Sequence, residues 1–134
     1  MIKNIQNLLE QMAQELPGIL AAAVVAVDDG MSIAQVSRHP EIETAAASAY
    51  LASIVKSNSK AIGLLADDQV TEDILITTGH YHFIIRHVAD QPIFIFLMTT
   101  RKEWLARARM LIKKYEPLFL RLSNALDLDK HLLD

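Results

Sequence analysis

The uninterrupted apolar run from Ile19 to Val27, closed by Asp28-Asp29-Gly30, is the feature that most limits what this chain can become. The run has the length of a strand and is rich in Val and Ala. A strand that is apolar at every position has to be covered on both faces. Asp-Gly tolerates positive φ, so Met31 to Ser37, with Ile33 and Val36, reads as the second arm of an antiparallel hairpin. The first strand is then central, and the second lies nearer an edge.

The covering layers must come from the flanking segments. Ile2, Ile5, Leu8, Leu9, Met12 and Leu16 recur at helical spacing and form one apolar stripe. Pro17-Gly18 stops that helix, because proline cannot continue it and glycine accepts the left-handed conformation common after one. His39-Pro40 opens a second helical stretch, from about Glu41 to Ala61. Its helical projection puts Ala47, Tyr50, Leu51, Ile54, Ala61 and Leu65 on a bulky face, predicted to be the core side. Ala45, Ser48, Ala49, Ala52 and Ser59 form a smooth opposite side. Val70 to Thr78, His80 to Val88 and Ile93 to Thr100 read as a three-strand meander turned at Gly79 and at Asp90-Gln91-Pro92. A last helix is predicted from about Lys102 to Leu126, with Trp104, Leu105, Ala108, Leu111, Ile112, Tyr115, Leu118, Phe119 and Leu122 on its apolar arc.

The expected order is therefore αββαβββα. It describes one α+β domain over residues 1–126, a five-stranded, mostly antiparallel sheet with helices on both faces, followed by a tail at 127–134. With 134 residues, 51% of them hydrophobic, the chain can bury one core without staples. It has no cysteine, which excludes disulfides and thiolate metal sites. No apolar run is long enough to span a membrane, and polar residues interrupt the first segment too often for a secretory signal. A cytoplasmic location is the expectation.

Charge is unevenly placed. Residues 1–100 carry 5 Lys/Arg against 11 Asp/Glu, whereas residues 101–121 carry 7 against 2. Arg107, Arg109, Lys113, Lys114 and Arg121 form the polar side of the last helix, read as a solvated face rather than a nucleic-acid site, since no base-stacking motif accompanies them. His80 and His82 share a strand face, with His87 nearby, and are expected to meet solvent rather than a metal. Gly-x-Ser-x-Gly, a phosphate-cradling glycine loop and His-Glu-x-x-His are all missing. Turn chemistry accounts for Asp28 and Asp29. Tyr50, Tyr81, Tyr115 and Trp104 read as core residues with a polar tip. Neither catalysis nor a cofactor is expected.

The element order, the Leu16-Pro17-Gly18 stop, the apolar first strand and the hairpin Val27 to Ile33 together resemble the roadblock/dynein light chain family over about residues 2–126. The resemblance implies a dimer whose sheets join edge to edge through the third strand and whose middle helices pack together. It also implies an adaptor or regulator of cytosolic proteins, small Ras-like GTPases among them. Thr100-Arg101-Lys102-Glu103-Trp104 stands where that family has a polar loop containing Asn and Gly. The smooth side of the middle helix suits close helix packing across a dimer. The expected interface is thus Ala45, Ser48, Ala49, Ala52 and Ser59 with Val70, Ile74 and Ile76, in a homodimer. Lys56 and Lys60 mark the expected partner surface. The alternatives are a profilin- or PAS-like domain that senses a small molecule in a cavity between sheet and helix, and a purely structural scaffold.

Overall fold

The apolar run at Ile19–Ala26 forms β1, the second strand of a sheet ordered β2-β1-β5-β4-β3, with every neighbouring pair antiparallel. The other strands are β2 (Ser32–Ser37), β3 (Ile74–Thr77), β4 (Tyr81–His87) and β5 (Ile93–Thr100). The helices are α1 (Ile2–Gln14), α2 (Thr44–Leu65) and α3 (Leu105–Leu133). The computed structural model describes residues 2–133, with side chains described for residues 3–125. The order αββαβββα is the one expected. The last helix continues beyond Leu126 through the segment assigned to a tail, and Asp134 lies outside the described residues.

One face of the sheet is covered by α1 and α3. Ile5, Leu9, Met12 and Leu16 from α1 meet Ala108, Ile112, Tyr115 and Phe119 from α3 over Ala22, Val24, Ile84, Ile95 and Leu97. The alternation of each strand sends the intervening residues to the other face, where Ala21, Ala23, Val25, Ile85, Phe94 and Phe96 pack with Ala52 and Val55 of α2. Burying Phe119 and Ile112 completely contributes roughly 1.5–3 kcal/mol each.

Two glycines are fixed by their surroundings. Gly30 has φ +72° in the β1–β2 turn, and a Cβ there would lie 2.7 Å from Ala49 Cα. Gly18 does not take the left-handed conformation expected of it. It is required by close approach, because its N–H donates to Glu103 Oε2 at 3.1 Å and a Cβ would meet that oxygen at 2.7 Å.

The two edges of the sheet differ. The Gln6 side-chain amide bonds to the Gln35 backbone in both directions, Nε2 to O at 2.8 Å and N to Oε1 at 3.0 Å, as a neighbouring strand would. Arg38 follows by donating to the Ala13 and Pro17 carbonyls at the end of α1. The β2 edge is thereby occupied at Gln35. On the opposite side β3 is terminal, and no element among the described residues pairs with its outer edge.

Gly30→Ala is expected to lower stability by about 2 kcal/mol, since both φ and the α2 backbone oppose a side chain. Urea denaturation of the two proteins checks this.

Candidate interaction surface

The described residues hold no group of three or more His, Asp or Glu placed to bind a metal ion. The feature that calls for explanation is α2. Its sheet-facing side is Thr44, Ser48, Ala52 and Val55, all buried, with Leu51, Asn58 and Ile62 half-buried beside them. Its outward side is Ala46, Ala47, Tyr50, Ile54, Ala61, Leu64 and Leu65, all exposed. Tyr50 is 77% and Leu65 82% exposed. The helix is thus uncharged on both sides, with Lys56 and Lys60 confined to one flank. The protomer's own sheet covers one of these two sides and leaves the other to solvent.

This reverses the reading of the helical projection. The bulky side, predicted to face the core, faces outward, and Ser48 and Ala52 of the supposed interface are covered by the protomer's own sheet. The reason is the sheet beneath. Ala21 and Ala23 bring the β1 surface close, and Ser48 and Ala52 fit the narrow space that Tyr50 or Ile54 would not. Ala45, Ala49 and Ser59 are exposed, although Ala49 abuts the β1–β2 turn at Gly30. Val70 is 85% exposed and precedes β3, whereas Ile74 and Ile76 lie within β3 on the α2 side of the sheet. Lys56 Nζ donates to the Asp28 carbonyl at 2.7 Å, so it holds the turn, and Lys60 is exposed.

Beside α2 the sheet is only half covered. Phe83, stacked on Phe96 with ring centroids 6.2 Å apart, and Tyr81, edge-on to Phe83, lie with Met98 next to the outward stripe. A cleft of about 370 Å³ there is lined by Ile42, Ala47, Tyr50, Phe83, Phe96 and Met98. A second, of about 260 Å³, opens under the C-terminal half of α2 between Val55, Ile62, Val70, Ile74 and Ile85. The outward stripe adjoins the uncovered strands at the first cleft, and the second cleft, with Asn58, Gln69, Thr71 and His87 also on its wall, lies between α2 and β3.

On the opposite face an ion-pair network anchors the start of β3. Asp73, whose side chain is 4% exposed, accepts from Arg86 Nη1 at 3.0 Å and pairs with Arg109 Nη2 at 2.8 Å. Arg86 also donates to Glu116 of α3. Burial disfavours the Arg86 charge, but the bonds to Glu116 and Asp73 outweigh it and raise the pKa. Sequence reasoning left Arg109 on a solvated face and did not find this network. Asp73 and Arg86 are far apart in the chain, and only the β3–β4 register brings them together. Tyr115 is core as expected, whereas Tyr81 is 38% and Trp104 78% exposed. His80 and His87 are exposed and His82 is half-buried, with His87 Nε2 2.7 Å from the Gln91 carbonyl.

Scanned against protein-family models and against curated proteins, the sequence matches none. Solved structures do match. The fold superposes on Myxococcus xanthus MglB with a TM-score of 0.84 at 13% identity, covering 93% of this chain and 91% of that one. It superposes on a Roadblock/LC7 domain from Streptomyces avermitilis with a TM-score of 0.72 at 13% identity, covering 86% and 97%. The chain has the roadblock fold. A further match, described as MglB with a tetrameric arrangement, gives a TM-score of 0.82 at 12% identity and covers 92% and 90%. The likeness that the hairpin and element order suggested therefore holds at the level of the roadblock architecture.

Asp73→Ala leaves Arg86 with a single buried partner and is expected to cost about 3 kcal/mol. Chemical denaturation measures the loss, and Lys60→Ala serves as a surface control with no measurable change.

Proposed function

We propose that this protein is a dimerising, non-catalytic adaptor or regulatory module, acting by presenting a surface to a protein partner. The single observation that carries the reading is the uncharged outward stripe of α2, beside the half-covered sheet and the open β3 edge. A second copy fits it. Antiparallel pairing of two β3 edges would extend the sheet, bring the α2 helices over the seam and bury Tyr50, Ile54 and Phe83 against their counterparts. Ala47, Ser57 and Ala61 on the same stripe would permit close helix approach. The tetrameric arrangement described for one MglB structure lends support to self-association in this fold. A small Ras-like GTPase is the partner class that the family resemblance favours, with another cytosolic protein as the broader reading. Lys56 and Lys60, on the flank of the paired helices, are where such a partner would be sought.

Small-molecule sensing is the competing reading, favoured by the cleft of about 260 Å³ beneath α2. Against it, two of the polar groups on its wall are spent on each other, since Thr71 Oγ1 donates to Asn58 Oδ1 at 2.6 Å. Few free polar groups remain to orient a ligand.

Sedimentation equilibrium of the wild-type chain is expected to give twice the protomer mass, and Tyr50→Asp with Ile54→Glu to give a folded monomer. A monomeric wild type at micromolar concentration would overturn the proposal. Ala52→Ser, on the sheet-facing side, should leave the dimer intact.

A further inference from the structure

The outward face of α3 lies across the sheet from α2 and plays no part in the reading above. Along it, Arg107, Met110, Lys113, Lys114, Leu118 and Arg121 are exposed, with Trp104 preceding the helix. Trp104 is 78% and Met110 70% exposed. The two carboxylates of this part of the chain are both engaged, and Glu103 lies 3.9 Å from Arg107 of that face. Glu103 accepts from the Gly18 N–H and its side chain is 9% exposed, while Glu116 faces the sheet and binds Arg86. Glu15 of α1 comes nearest, and it is taken up locally. Hydrogen bonds from Lys114, at 2.8 Å, and from Tyr115 hold its carboxyl below the usual carboxylate range. Lys113 and Arg121 have no ion-pair partner among the described residues. A strip about 26 Å long, from Trp104 to Arg121, therefore interleaves cations with exposed Trp, Met and Leu, with Glu15, engaged by Lys114, as the acid beside it.

We propose that this face of α3 docks on an anionic lipid bilayer. Charge complementarity selects the occupant. The strip is basic on a protein of net charge −3, so the remainder of the molecule turns away from a negative surface as α3 turns toward it. The distribution of apolar groups favours a membrane over an acidic protein. Trp104, Met110 and Leu118 are spread singly along the strip, Trp104 just before α3 and the other two on it, rather than gathered into one apolar pocket. Flexible Lys and Arg stems suit a diffuse array of phosphates, and an indole is at home at headgroup depth. The inference stands without the dimer. Should the β3 edges pair, the twofold axis would run perpendicular to the sheet and place both α3 helices on one side. Two strips would then act together, which matters because one weak anchor binds only marginally.

Trp104 is the sole tryptophan, so its emission reports the contact directly. With phosphatidylcholine–phosphatidylglycerol vesicles the fluorescence is expected to shift to the blue and the protein to co-sediment. Phosphatidylcholine alone should give neither, and raised salt should reverse both. Lys113→Gln with Arg121→Gln should weaken partitioning about 30-fold at low ionic strength. Tyr50→Asp with Ile54→Glu should still bind the anionic vesicles, which separates this surface from the dimer question. Equal binding to neutral vesicles, no binding to anionic ones, or indifference to the double Gln variant would overturn the proposal. So would binding to polyglutamate without binding to vesicles, which would assign the strip to an acidic protein. If the double Gln variant fails to fold, the wild-type salt titration decides alone.

Discussion

The pairing of β1 with β5 at the centre of the sheet is what the remainder rests upon. Both strands are buried along most of their length on both faces, so the chain has to provide a layer on each side. Ala21, Ala22 and Ala23 in β1 are wholly buried, and their small size sets how closely those layers approach. On one side the longer residues of α1 and α3 fill the space. On the other, the alanines admit only a narrow helix surface, and this decides which way α2 faces.

That narrowness explains what could and could not be read from the sequence. The order of elements was legible because each carries its own periodicity and stop, from Pro17-Gly18 to Asp90-Gln91-Pro92. β5 falls on the residues expected of it, Ile93 to Thr100. The orientation of α2 was not legible. A projection ranks sides by bulk, and bulk points the wrong way when the facing sheet is lined with alanine. The lack of charge on both sides of the helix does not say which side is internal. The helix was legible as an element, and the side that meets the protomer's own sheet was not. Ser48 and Ala52 went inward, and Tyr50, Ile54 and Leu65 came out. Trp104 was misassigned for a related reason, since it stands just before α3 begins and the helical periodicity does not govern it.

Electrostatics divide between the two sides of the molecule. The cations of α3 near the sheet, Arg109 among them, are absorbed by Asp73, while Glu116 takes up Arg86 of β4. The short strand β3 is thus tied to α3 across the sheet plane, although its outer edge has no partner in the protomer. A network that immobilises an unpaired strand limits the entropy lost when something pairs with it. Of the cations facing away from the sheet, Lys113 and Arg121 have no ion-pair partner among the described residues, and the sequence total conceals both groups under one modest net charge.

Gln6 deserves a last thought. By mimicking a strand with its side-chain amide, it occupies the outer edge of β2 at Gln35. An exposed pair of edges would allow copies to add head to tail without limit, the geometry of fibres. Gln6, bonded at Gln35, obstructs one of those edges, so a glutamine on a helix opposes strand addition there.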